Sequence, residues 1–217
     1  MLVNDSFMKN NVLILFILIF IFSCKKEEEK MISGCYSKQQ KTLIDGYIYP
    51  KSCDLKYSFD FEKNMVIGII IRGDGYDLKS SESSEMYWKY AYQYGDTAFN
   101  GCYPMELYCC TELSLIDITC DKDIDDNHKA FVSLSDITEI ICFSYGEYIK
   151  SGYSNDNTYI QKNLSEMNND DYLLLGFESI NLRIKDSKKL PKGEYKFFIT
   201  IVTEENETVT NEITIVK

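Results

Sequence analysis

The 217-residue chain holds one histidine, one tryptophan and three prolines, and these scarcities close off several kinds of chemistry. With His128 alone, a nucleophile–base pair has a single partner to use, and no GxSxG, HExxH or Cys–His signature accompanies it. Zinc would need CxxC pairs or clustered histidines, whereas Cys109 and Cys110 are adjacent rather than spaced by two. Proline is scarce and glycine modest, and no phosphate-cradling GxxxxGKS loop occurs. Basic clusters are missing beyond Lys188-Lys189, so a chain of net charge −11 is not expected to bind nucleic acid, nor to be drawn electrostatically to anionic lipid. Among 34 acidic residues no carboxylate pair is privileged, and the expectation is a protein that is not an enzyme. Nor does any apolar run reach the ~20 residues of a bilayer-spanning helix.

What is present begins at the N-terminus. Val12 to Phe22 is an unbroken run of Val, Leu, Ile and Phe behind Lys9, a length suited to a signal-peptide core. It closes at Ile21-Phe22-Ser23-Cys24, which resembles a bacterial lipobox. That resemblance implies cleavage before Cys24 and acylation of its thiol, hence a membrane partner reached through a lipid anchor. The charged run Lys25-Lys26-Glu27-Glu28-Glu29 is similar to the export tag of Bacteroidota surface lipoproteins, which implies an outer-membrane, cell-surface location. The expected organisation is a signal peptide over 1–23, a lipidated tether over 24–33 and a β-rich domain over 34–217.

Seven cysteines remain beyond Cys24: Cys35, Cys53, Cys102, Cys109, Cys110, Cys120 and Cys142. Outside the cytoplasm some are expected to pair, and an odd count leaves at least one free or bonded to another chain. Cys102, Cys109, Cys110 and Cys120 cluster around one expected strand and are the candidate disulfide partners. Adjacent Cys109 and Cys110 should face opposite sides of a strand.

Along the domain, period-two alternation is the recurring signal. Leu55 to Phe61 and Met65 to Ile71 read as a hairpin turned at Lys63-Asn64, with a second tight turn at Arg72-Gly-Asp-Gly. Leu113 to Cys120 alternates, Ile140 to Tyr145 is strand-like, and Leu173 to Lys185 reads as a strand pair or one bent strand. Tyr195 to Val202 and Thr208 to Val216 form a closing hairpin. Tyr and Trp propensity favours a strand over Met86 to Tyr94, although a helix would put Tyr87, Tyr90 and Tyr94 on one face. Brief helical patterns are confined to Ser135 and to Tyr159–Met167. The pattern predicts a mainly β fold, an antiparallel β-sandwich-like single domain with one or two minor helices.

Two stretches are candidate ligand sites. Asp121, Asp123 and Asp125 alternate in an acidic loop, the spacing that turns carboxylates around Ca²⁺, although the Gly and Glu of an EF-hand are missing and charge runs are usually solvated loops. On a strand, Trp88, Tyr90, Tyr92 and Tyr94 would share one face and offer a stacking platform for a sugar ring, against the usual role of such residues in a core. The expected function is a non-catalytic binding or structural module for a glycan or another envelope protein. The alternatives are a glycan-acting hydrolase and a calcium-dependent carbohydrate-binding protein.

The segment Leu113 to Ile137, a Leu-Ser-Leu-Ile-Asp-Ile-Thr strand, an acidic loop and Ser133-Leu-Ser-Asp-Ile, is similar to the midsection of a family of uncharacterised Bacteroides-type lipoproteins, a domain of unknown function. The resemblance supports the surface address and implies no catalytic chemistry.

Overall fold

A computed structural model describes residues 42–79, 81–101 and 107–217. The expected signal peptide, Cys24 and its tether lie outside the described residues, as do Cys35 and Cys102.

The domain is built on one long hairpin. Strands β1 (Gly46–Phe59) and β2 (Met65–Asp77) pair antiparallel from Phe59↔Met65 to Gly46↔Asp77. The turn expected at Arg72-Gly-Asp-Gly does not form, because β2 runs on through it as strand. A bulge in β1 between Pro50 and Ser52 faces this segment, and a Cβ on Gly73 would lie 1.8 Å from the Tyr49 carbonyl oxygen. Glycine is thus needed there for close approach of two backbones, not for a reversal.

The remaining strands are β3 (Tyr108–Cys110), β4 (Leu113–Cys120), β5 (Thr138–Phe143), β6 (Tyr159–Asn163), β7 (Leu175–Gly176), β8 (Ile180–Ile184), β9 (Glu194–Thr203) and β10 (Thr208–Val216). They form a seven-stranded sheet ordered β6-β5-β8-β2-β1-β3-β7 and a three-stranded sheet ordered β10-β9-β4. Only the β1–β3 pair is parallel among the assigned pairings. The fold is mainly β and sandwich-like, as the alternation predicts. Of the short helix expected over Tyr159–Met167, Tyr159–Asn163 is strand and Leu164–Glu166 a single 3-10 turn, and Ser135 lies in a turn.

The two sheets bury one apolar layer between them. Ile67, Ile69 and Ile71 of β2, with Ile180 and Leu182 of β8, meet Ile118 of β4 and Phe197, Ile199 and Ile201 of β9. Each such side chain contributes ~1.5–3 kcal/mol on burial, so this layer is the main source of stability. A bulge between Leu113 and Leu115 resets the parity of β4, which places Ile116, Ile118 and Cys120 inward and leaves Leu115 exposed. The Ser114 hydroxyl donates to the Val202 and Thr203 carbonyls (3.1 and 2.9 Å) at that irregularity.

The other face of the larger sheet is covered at one end only. Helix α1 (Ser81–Tyr94) packs there on β1 and β2. Around it lies a second, smaller core of Leu43, Ile44, Tyr47, Tyr87, Tyr90, Ala91, Cys109, Tyr145 and Ile149, among others. Helices α2 (Gly146–Lys150) and α3 (Asn169–Tyr172) are single turns. No helix among the described residues is long and apolar enough to cross a membrane.

Candidate functional site

The aromatic stretch is a helix, which corrects the strand expectation. Tyr87, Tyr90, Ala91 and Tyr94 recur at three- and four-residue spacing, and this face has a preformed apolar partner in Tyr47. The Tyr47 ring lies 5.4, 5.7 and 6.2 Å from those of Tyr87, Tyr90 and Tyr94. β-propensity is a statement about fit to a pleated surface, and tertiary packing overrides it here. The sugar platform expected from Trp88, Tyr90, Tyr92 and Tyr94 therefore does not exist as one face. Tyr90 is buried, Trp88 and Tyr94 are half-buried, and only Tyr92, 71% exposed, presents a free ring. Trp88 supports it from 5.9 Å.

Helix α1 stops at Gly95, whose φ of +74° suits glycine. The Gly95 amide donates to the Tyr92 carbonyl (3.2 Å) and the Asp96 amide to that of Ala91 (2.8 Å), the paired bonds of a Schellman cap. This turn delivers Asp96 into the second core, where it has no solvent exposure. One carboxylate oxygen accepts from the Leu43 amide and the Tyr153 hydroxyl, both at 2.8 Å. Its mate accepts from the Ile44 amide (2.9 Å) and the Tyr47 hydroxyl (3.1 Å). Burial raises the Asp96 pKa above the usual carboxylate value against the pull of these four donors, and the Tyr47 hydroxyl is raised too, by burial and then by Asp96.

Asp96 thereby ties the end of α1 to Tyr153, just beyond α2. Between these two elements opens a surface groove of about 590 Å³, within the size range of small-ligand sites. Tyr92, Gln93, Tyr94 and Gly95 form one wall, and Gly146, Ile149 and Lys150 another. Leu173 and Glu204, the latter from the β9–β10 turn, complete the lining. A flat exposed ring, an amide, an ammonium, a carboxylate and apolar floor residues can stack on and hydrogen-bond a polar ligand. Sequence alone does not reveal this convergence, since its residues come from four separate segments. One signal was available: glycine directly after a periodic run marks a helix end.

The acidic loop does not assemble a calcium site. Asp121 accepts from the Lys196 amide (3.0 Å), and Asp123 from the Ala130 amide (2.9 Å) and the Lys129 ammonium (3.1 Å). Asp125 caps the amides of Asn127 (2.8 Å) and His128 (2.9 Å). These carboxylates fold their own loop instead of converging, and no metal-binding group of three or more acids, histidines or cysteines occurs among the described residues. His128 is held between two carboxylates, Nδ1 at 2.8 Å from Asp125 and Nε2 at 3.1 Å from Asp136. Partial burial lowers its pKa, but the bonds to Asp136 and Asp125 outweigh this and raise it.

The disulfide expectation is not met at three of its four candidates, and Cys102 lies outside the described residues. Cys109, Cys110 and Cys120 are free and buried, as are Cys53 and Cys142. Cys109 sits in the core under α1 while Cys110 sits between the sheets, the opposite facing that strand geometry demands. Burial pushes the Cys53 and Cys120 thiols up to about 11. They act as small apolar core residues. No protein-family model, curated protein or solved structure matches this chain.

Proposed function

We propose that this protein is a surface lipoprotein, held at the outer membrane through acylated Cys24, that binds a glycan as a non-catalytic module in the groove beside α1. The observation that carries the binding reading is Tyr92, an exposed ring braced by Trp88 at the mouth of a groove lined by Gln93, Lys150 and Glu204. Aromatic faces flanked by hydrogen-bonding groups suit pyranose rings, which present apolar C–H faces and equatorial hydroxyls. The site rests on a helix whose end is fixed by Gly95 and Asp96, so it is preorganised for a ligand that brings little apolar area. The lipobox-like Ile21-Phe22-Ser23-Cys24 and the charged run after it support the address.

A glycan array probed with the chain from Lys25 onward tests the binding reading, with Tyr92→Ala as control. Binding that Tyr92→Ala abolishes is expected; an array silent for both proteins ends the reading. Metabolic labelling with an acyl probe tests the anchor separately. Label on the wild type and none on Cys24→Ala is expected, and label that survives the substitution removes Cys24 as the attachment point.

A further inference from the structure

The groove carries an unbalanced charge. Glu204 lines it, and the Glu204 amide donates to the Glu112 carbonyl (2.7 Å), which brings the β9–β10 turn against the β3–β4 corner. The Glu112 amide in turn donates to the hydroxyl of Tyr94, another lining residue (3.2 Å). Partial burial, then the charges of Glu205 and Glu204, raise the pKa of the Glu112 carboxyl against the opposing pull of Lys89 and a hydrogen bond with Tyr90. Among the described residues, no lysine or arginine forms an ion pair with Glu112, Glu204 or Glu205. Lys89 acts on Glu112 only from longer range. Across the groove, Lys150 is already shared by Glu147 (3.3 Å) and Asp170 (2.7 Å). Glu204 is thus the carboxylate of a lining whose ammonium, Lys150, is already held by the two carboxylates of Glu147 and Asp170. An anionic or neutral ligand would leave Glu204 without a counter-charge, whereas a cation supplies one and also gains from the electron-rich faces of Tyr92 and Tyr94.

We propose that the groove recognises a glycan bearing free amino groups, a glucosamine-type sugar, whose ammonium sits against Glu204 while its ring stacks on Tyr92. The proposal rests on the glycan-binding reading and deepens it. An N-acetyl group would remove the charge and set a neutral amide against the carboxylates. Selectivity for the free amine follows from the loss of a charge-assisted contact, about tenfold per contact.

Calorimetry on the purified full chain in detergent decides it, with glucosamine oligomers, N-acetylglucosamine oligomers and oligolysine as probes. The expected result is binding of the glucosamine oligomer at least about tenfold tighter than of its acetylated counterpart, weakening as salt rises. Glu204→Gln should lower that affinity about tenfold at an unchanged melting temperature, and Tyr92→Ala should lower the affinity for both sugars. Equal affinity for the free and acetylated oligomers overturns the amine proposal and leaves the glycan reading standing. Oligolysine bound while every sugar, neutral array glycans included, stays silent overturns both.

Discussion

Replacing Asp96 tests whether the groove is held by the polar knot behind it. In Asp96→Ala, the amides of Leu43 and Ile44 lose their only side-chain acceptor in a site without solvent, as does the buried Tyr47 hydroxyl, while the Tyr153 hydroxyl still accepts from the Ala98 amide. Each stranded buried amide costs ~1–3 kcal/mol, so the two together cost about 4 kcal/mol. For a domain of this size that lowers the melting temperature by about 8–16 °C. Asp96→Asn keeps the shape but turns an amide donor toward one backbone N–H, which costs about 2 kcal/mol and about 4–8 °C. The gap to Asp96→Asn also depends on pH. Because the folded-state pKa of Asp96 lies above its unfolded value, its stabilisation is fully present below about pH 4 and declines as pH rises through the folded value. Melting curves of wild type and Asp96→Asn at pH 4 and pH 7 should therefore differ more at the lower pH. Equal melting temperatures at both values would refute the claim that the four donors need the Asp96 carboxyl and not an amide.

Four further outcomes follow from the geometry. Gly95→Ala forces a side chain into a left-handed turn and should destabilise by ~1–2 kcal/mol, measured by urea unfolding. Ile199→Ala, at a fully buried position between the sheets, should cost ~2–5 kcal/mol in the same assay. The thiols of Cys53, Cys109, Cys110, Cys120 and Cys142 should resist a thiol reagent in the native protein and react once it is denatured without reductant. For His128, whose folded pKa is raised, the clamp is fully formed below the ordinary value of about 6.5 and is lost as pH rises through the folded value. Asp125 and Asp136, with lowered pKa values, retain their part until the pH falls below about 4. Amide exchange in the loop from Asp121 to Asp136 should accelerate from pH 6 to pH 8 beyond the intrinsic rate, and His128→Ala should abolish that excess.

How much of this was legible in the sequence depends on where each signal comes from. Period-two alternation is local, so the β1–β2 hairpin, β4, β5 and the closing β9–β10 pair all lie where it predicts strands. The errors fall where a distant partner decides. Arg72-Gly-Asp-Gly looks like a turn by composition, but Gly73 serves a bulge twenty-odd residues upstream in β1. Met86 to Tyr94 fits strand propensity and helical spacing equally, and Tyr47 on another element settles the choice. The alternating aspartates suggest a cation in sequence, yet the amides of Ala130, Asn127, His128 and Lys196 take up their oxygens. Nothing local announces that Tyr92, Lys150 and Glu204 meet.

The groove's position follows from how the larger sheet uses its two faces. Its inner face is closed by the three-stranded sheet through continuous apolar contact, and no ligand can enter there without opening the main core. Its outer face is covered by α1 at one end, and the second core beneath that helix is rich in tyrosine. Tyrosine buries a ring while keeping a hydroxyl that needs a partner, so this smaller core is stitched by hydrogen bonds. Tyr87 donates to the Ile44 carbonyl (2.8 Å), Tyr153 and Tyr47 donate to Asp96, and the Tyr94 hydroxyl accepts from the Glu112 amide. Such a seam is directional: it fixes the distance between α1 and α2 at the Asp96–Tyr153 bond without filling the space above it. A bundle of leucines at the same positions would collapse into that space, because apolar contact has no preferred direction and gains from every area it removes from water. The tyrosine-rich helix thus both builds the second core and leaves a shaped opening at its rim, where Tyr92, the one ring of that run not drawn into the packing, faces solvent.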